Sequence, residues 1–159
     1  MTLDDWVLAL HVLSGFALVA GLTLFWALIV VTRRADSPDE VLALGPYSRI
    51  ANAAVGIGMG GTIVFGIWLA FSVGGYDIWD PWIVGAIVLW LIGGELGRRA
   101  GAAYVPAVRK AQQLKAAGQT GPDAELASLN QAPAGVVLQA LISLVVLLII
   151  LDMIWKPGA

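Results

Sequence analysis

The chain has 159 residues, of which 59% are hydrophobic and 13% charged, whereas an ordinary soluble domain has about 25% charged residues. Its apolar residues form four long blocks, each near the ~20 residues that cross a bilayer, which excludes a soluble core. A formal charge of −2 excludes nucleic acid as a partner, because no basic face exists to neutralise phosphates. Since cysteine is absent, disulfides and thiolate metal sites are excluded as well.

Four transmembrane helices are predicted, at about residues 6–32, 50–73, 82–108 and 134–155. The N-terminus lacks the positive n-region of a signal peptide, so the first apolar block is interpreted as a retained span. The whole chain, residues 1–159, is predicted to be a single all-α domain, a four-helix transmembrane bundle in up-down-up-down order.

Two shorter features lie between the spans. Ser37-Pro38-Asp39-Glu40 has the form of a capping box and predicts a short surface helix that ends near Gly45-Pro46. The segment 111–133 is polar and is broken by glycine and proline, so it is predicted to be the one sizeable extramembrane segment.

Basic residues determine the predicted orientation. Eight of the nine lie on the side that joins spans 1–2 and spans 3–4, namely Arg33, Arg34, Arg49, Arg98, Arg99, Arg109, Lys110 and Lys115. The positive-inside rule therefore predicts a bacterial inner-membrane protein with both termini on the non-cytoplasmic side. An aromatic belt on that outer side predicts the same orientation. It consists of Trp6, Tyr76, Trp79, Trp82 and Trp155.

Charged residues interrupt the third span. The apolar stretch from Trp82 to Gly94 is too short to cross a bilayer, and Glu95, Arg98 and Arg99 follow it before the chain becomes apolar again. The two halves of the chain nevertheless share features 76 residues apart, as a diverged two-span duplication would, although chance explains so thin a match equally well. These features are Asp4 and Asp80, Trp6 and Trp82, Gly21 and Gly97, and Arg33-Arg34 and Arg109-Lys110. A duplication predicts one continuous helix from Trp82 to at least Val108.

Glu95, Arg98 and Arg99 occupy positions i, i+3 and i+4, so the carboxylate can pair with either arginine. Two readings remain open. The span ends early or tilts, so that the arginines reach cytoplasmic headgroups, or the three residues form a polar cluster in the bundle together with Arg49. In the second reading Glu95 faces protein, and the excess positive charge suits an anionic ligand, a lipid headgroup or a propionate.

Glycines recur with four-residue spacing at Gly93, Gly97 and Gly101 in span 3 and at Gly56 and Gly60 in span 2. In lipid, such small residues allow close helix packing. We expect packing within one bundle, with a homo-oligomer seam and a glycine-lined cavity for a flat cofactor as the alternatives.

The remaining polar residues of the spans are few. His11 is the only histidine and cannot close a metal site in one chain, so we expect it to donate to a carbonyl or side chain; a haem ligand or a proton carrier is the alternative. Asp152 is predicted to pair with Lys156 one turn later. Gln139 and Asn52 are predicted to form interhelical hydrogen bonds.

Two stretches carry a resemblance to known membrane proteins: Leu10-His11-Val12-Leu13-Ser14-Gly15, and Tyr104-Val105-Pro106 followed by Arg109-Lys110-Ala111-Gln112. The chain resembles a family of predicted four-span integral membrane proteins of unknown function. Span 1 is also similar to that of copper-resistance D type proteins and of HemJ-type protoporphyrinogen oxidases. The HemJ-type resemblance implies haem bound by a helix-1 histidine, here His11.

Three functions remain open from the sequence. The first is a non-enzymatic membrane protein, either a binding or transport module built around the Glu95, Arg98 and Arg99 cluster or an oligomeric assembly protein. The second is a haem-binding redox protein that uses His11, and the third is a structural subunit of a membrane complex. No cofactor is expected for the first and third, haem b is the cofactor of the second, and the bilayer is a partner in all three.

Overall fold

The structure, a computed structural model, describes residues 2–72 and 76–157. Within these ranges the chain forms six helices and no strand: α1 Leu3–Thr32, α2 Pro38–Ala43, α3 Gly45–Ser72, α4 Pro81–Ala116, α5 Ala124–Asn130 and α6 Pro133–Trp155. Helices α1, α3, α4 and α6 contain the four stretches long and apolar enough to cross a membrane. The predicted all-α, four-span architecture is confirmed, while the predicted end of span 2 at residue 73 lies outside the described residues.

Local sequence explains where the helices begin. Thr2 and Asp5 form a capping box at α1, in which each side chain accepts a hydrogen bond from the backbone N–H of the other. Helices α2, α4 and α6 have proline in their first turn, where its missing N–H leaves no helical hydrogen bond unmade. The short helix predicted after Ser37 is α2, although the Ser37 side chain makes no capping hydrogen bond.

Helices α1 and α3 pack tightly against each other because glycines line their contact. A Cβ atom on Gly58 would lie 2.6 Å from the Cα of Leu18, and one on Gly21 would lie 2.9 Å from the backbone nitrogen of Val55. Such distances bring the two backbones into direct contact, as expected for small residues between membrane helices.

Helices α4 and α6 form the second tightly packed pair. The Tyr104 side chain occupies the space where Gly135 lacks a Cβ, and Val145 lies 3.4 Å from the position of a Cβ on Gly93. Helix α4 is continuous over 36 residues, through both the charged residues and Pro106. The predicted continuous helix is therefore confirmed, and it extends past Val108 to Ala116.

The short helices α2 and α5 pack against the C-terminal part of α4. The end of the bundle where they lie is called the α2/α5 end. The opposite end, where α1 begins and α6 ends, is called the termini end. A buried hydrophobic cluster stabilises the α2/α5 end. It is formed by Ala35, Val41, Ala107, Ala111, Leu114 and Leu126. Asn130 adds a buried hydrogen bond to the carbonyl of Ala35 at 2.8 Å. Ion pairs join Lys110 to Glu125 and Lys115 to Asp39 around it.

Four glycines of the predicted packing ridges do not pack inside the bundle. No atom lies within 4 Å of a Cβ placed on Gly56, Gly60, Gly97 or Gly101, so the expectation of intramolecular packing is wrong for these positions. In a helix of 3.6 residues per turn, a four-residue step also rotates the side chain by about 40°, so a ridge that starts at Gly93 against α6 turns away from α6 by Gly101.

Candidate functional site

A cavity of about 850 Å³ lies between the two helix pairs at the termini end. All four spans contribute to its walls, which are mainly apolar. Six of the lining residues have polar side chains: Asp4, Asp5, His11, Thr62, Tyr76 and Lys156. The cavity arises because each pair packs closely within itself, whereas few contacts join α1 to α6 or α3 to α4.

The centre of the bundle forms the floor of this cavity. Leu18, Leu22, Ala100, Ile142 and Val146 form a buried cluster there, and Leu18 and Val146 also line the cavity. Two hydrogen bonds join α1 to α6 at this level and nearer the α2/α5 end. The indole N–H of Trp26 donates to Ser143 at 3.0 Å, and Gln139 donates to the carbonyl of Leu22 at 3.3 Å. The predicted interhelical role of Gln139 is confirmed.

His11 lies in the wall of the cavity, half-buried, beside Gly66. A Cβ on Gly66 would lie 3.0 Å from Cε1 of His11, so the glycine makes room for the imidazole ring. The imidazole of His11 approaches the backbone of Thr62 in α3, but its buried Nδ1 makes no well-formed hydrogen bond within residues 2–72 and 76–157, so the expected hydrogen bond is not formed at this nitrogen. A buried polar atom without a partner costs free energy that a ligand or water can recover.

Lys156 closes one side of the cavity in an arrangement that the sequence does not predict. Its ammonium group donates to the Tyr76 hydroxyl at 2.9 Å and lies 4.5 Å from the centre of that ring and 5.3 Å from that of Trp82. The predicted pairing of Asp152 with Lys156 is wrong. Lys156 caps α6 in a left-handed conformation (φ 42°), and the i, i+4 relation holds only while both residues are helical.

Trp82 and Asp152 each have a buried polar atom without a hydrogen-bond partner in the described chain, Nε1 of the indole and Oδ2 of the carboxyl group. Trp82 is only 7% exposed and packs edge-to-face against Tyr76, so its expected place in a solvated aromatic belt is wrong. The other belt tryptophans, Trp6, Trp79 and Trp155, are exposed.

Glu95, Arg98 and Arg99 form one compact cluster on α4, as their spacing predicts. The carboxylate accepts two hydrogen bonds from Arg98, both at 2.8 Å, and one from Nε of Arg99 at 2.7 Å. The side chains are 43%, 70% and 63% exposed in chain order, so the expectation that Glu95 faces protein is wrong. No hydrogen bond or ion pair in the described residues joins Arg49 to the cluster.

Asn52 is also placed differently from its prediction. Its amide donates to the carbonyl of Ser48, one turn earlier in the same helix, at 2.9 Å. The side chain is exposed, and no hydrogen bond in the described residues joins it to a second helix.

Sequence reasoning missed the cavity itself and the presence of Met153, from α6, in its wall. Within the described residues, no group of three histidine or acidic side chains could hold a metal ion. No family model, no curated protein and no solved structure matches the chain. The resemblances around His11 and Tyr104 therefore remain predictions.

Proposed function

We propose that this protein binds a small, lipid-soluble molecule in the cavity between its two helix pairs, without transforming it chemically. The observation that carries this proposal is the combination of an apolar cavity of about 850 Å³ with a buried, unpartnered Nδ1 of His11 in its wall. Ligand sites in proteins are typically apolar concavities with a few convergent polar groups. A ligand carbonyl or hydroxyl would complete the hydrogen bonding of His11.

The proposed setting is a bacterial inner membrane with the termini end on the non-cytoplasmic side. Eight of the nine basic residues belong to the opposite side of the chain, which supports this orientation. The cavity then lies in the outer half of the bilayer, open to molecules dissolved there. Because the packed cluster around Leu22 and Ile142 forms its floor, the arrangement favours binding over passage through the bundle.

A short-chain benzoquinone is a suitable probe, because it is lipid-soluble, carries two hydrogen-bond acceptors and quenches tryptophan fluorescence. Trp82 and Trp90 line the cavity, whereas Trp68 lies in a shallow groove on the outside of α3. We expect saturable quenching in protein reconstituted in nanodiscs. Trp90→Phe should reduce its amplitude, and Trp68→Phe should leave the saturable part unchanged.

A pair of glycine variants tests whether the cavity is the site. Gly15 lines the cavity and Gly60 lies on the outer surface of α3, and neither has an atom within 4 Å of an added Cβ. Gly15→Leu should therefore project into the cavity, narrow it and weaken saturable quenching, while Gly60→Leu should preserve it. Quenching that does not saturate, or a half-saturating quinone concentration that Gly15→Leu leaves unchanged, would contradict the proposed site.

Haem is the second candidate ligand, because His11 and Met153 line the same cavity from α1 and α6. Histidine and methionine together are the axial ligands of cytochromes c. If haem is the ligand, protein purified from its native host has a Soret band that His11→Ala removes and Met153→Leu shifts. A purified protein that has no Soret band and gains none with added haem would exclude this candidate.

A further inference from the structure

The Glu95, Arg98 and Arg99 cluster lies at membrane depth on α4. Trp82, in the first turn of α4, lies about 20 Å along the helix from Glu95 at ~1.5 Å per residue. Tyr104 packs against Gly135 in the first turn of α6 and so marks the level where α6 begins. By the same rise, Arg99 lies about 8 Å and Glu95 about 14 Å from that level, inside the hydrocarbon region.

At this depth the protein does not cover the three charges. Their side chains are between 43% and 70% exposed, although intramembrane charges usually face the interior of a bundle. One carboxylate against two guanidinium groups leaves one excess positive charge. Glu95 engages Arg99 only through Nε, so the two terminal nitrogens of Arg99 have no partner in the described residues.

The exposed surface of α4 around the cluster changes character along its length. Val88 and Leu91, which are 49% and 58% exposed, lie one to two turns from Glu95 in the direction of the termini end. Arg98 and Arg99 lie on the other side, nearer the interface. In a helix of 3.6 residues per turn these five residues form one stripe, apolar beyond the bilayer centre and cationic towards the interface at the α2/α5 end. A phospholipid has the same order of groups, acyl chain and then phosphate.

We propose that Arg98 and Arg99 bind the phosphate of an anionic phospholipid in the leaflet at the α2/α5 end. Glu95 acts as a positioning residue that holds both guanidinium groups on one side of the helix. The planar guanidinium fork suits phosphate oxygens, and a phosphodiester with one negative charge balances the excess charge of the cluster. The acyl chains extend from the phosphate past Glu95 towards Leu91.

The charge balance disfavours a second copy of the chain as the occupant. In a symmetric dimer the same surface of each copy meets the other, which would place two positively charged clusters together. Like charges in a medium of low dielectric constant repel strongly. A phospholipid brings the opposite charge, and the local thinning of a bilayer around buried charges draws its phosphate towards the level of Arg99.

Native mass spectrometry with defined lipids tests the proposal. Protein is released from nanodiscs that contain phosphatidylglycerol and phosphatidylcholine of equal chain length in equal amounts. We expect wild-type protein to retain one phosphatidylglycerol preferentially. The double variant Arg98→Gln with Arg99→Gln should lower this retention about tenfold, to the level of phosphatidylcholine. Arg34→Gln, which removes an exposed charge at the same end, should leave it unchanged.

A second double variant, Arg98→Lys with Arg99→Lys, keeps the charge and guards against a folding defect in the first. Because lysine lacks the planar fork, we expect intermediate retention; retention equal to wild type would overturn the assigned geometry. Millimolar glycerol phosphate should not displace the lipid, and displacement would overturn the lipid in favour of a soluble anion. Equal retention of both lipids, or a dimer that the Gln variants dissociate, would also overturn the proposal.

Discussion

At the scale of single residues, two glycines of α3 only two positions apart have opposite surroundings. A Cβ on Gly58 meets the backbone of Leu18 in α1, whereas a Cβ on Gly60 meets nothing within 4 Å. Gly58→Ala should therefore force α1 and α3 apart and destabilise the protein by about 1–3 kcal/mol, since backbone atoms cannot swing aside. Gly60→Ala should be neutral or stabilise it by about 0.5–1 kcal/mol through helix propensity.

Unfolding by sodium dodecyl sulfate, followed by circular dichroism, measures both variants against wild type. Equal midpoints for Gly58→Ala and wild type would contradict the close contact of α1 and α3. A large loss of stability in Gly60→Ala would show that the outer surface of α3 is itself packed against something.

Polar residues show where prediction from sequence ends at this scale. The pairing of Glu95 with Arg98 and Arg99 follows from spacing within one helix, and the structure shows it. The partners of His11 and Asp152 depend on how separate helices meet, and spacing along one helix carries no information about that. The same holds for the direction in which Glu95 faces, since a helix can present any side to its neighbours.

At the scale of elements, α4 carries a proline in its interior without a break. Pro106 cannot donate to the carbonyl four residues earlier, which costs about 3 kcal/mol or more in an ordinary helix. Pro106 is exposed, so alanine there should restore the hydrogen bond without a clash and raise the unfolding midpoint. Pro81→Ala is the matched control, because a proline in the first turn replaces no hydrogen bond and its loss should slightly destabilise.

The same denaturant titration distinguishes the two proline variants. A lower midpoint for Pro106→Ala would indicate that the proline shapes α4 for its contacts with α2 and α5. In that case the contacts of α4 with α2 and α5 would determine the direction of its C-terminal part.

The long helices were predictable because each contains an apolar stretch that only a membrane span explains. In the structure, span 1 begins earlier than predicted, at Leu3, span 2 begins earlier, at Gly45, and span 3 ends later, at Ala116. Polar residues continue these three helices beyond their apolar stretches. Helix α5 was not predicted. Its seven residues are too few to show a clear hydrophobic periodicity. The helix is stabilised by tertiary contacts, such as those of the fully buried Leu126 with α4.

At the scale of the whole molecule, the chain is built as two pairs, α1 with α3 and α4 with α6, each joined by a short helix. Both halves have the order long, short, long, which agrees with the suggested duplication. The halves differ in packing, however: Gly21 meets α3 closely, while its counterpart Gly97 meets nothing within 4 Å. The cavity depends on the space between the pairs, so no pattern within one span could have predicted it.

Orientation in the membrane provides the last prediction. Eight of nine basic residues belong to the side of the α2/α5 end. The positive-inside rule predicts that this side of the protein faces the cytoplasm. The chain has no cysteine, so a single introduced thiol reports one position. Asp77 lies at the termini end and Gln119 lies at the α2/α5 end, and both are exposed outside the helices.

In intact cells, a membrane-impermeant maleimide should label Asp77→Cys within minutes and leave Gln119→Cys unlabelled until the cells are permeabilised. The two variants control for each other, because each thiol must react fully once the membrane is opened. Labelling of Gln119→Cys but not of Asp77→Cys in intact cells would reverse the orientation. The cavity would then open to the inner leaflet, and the proposed phospholipid site on α4 would lie in the outer one.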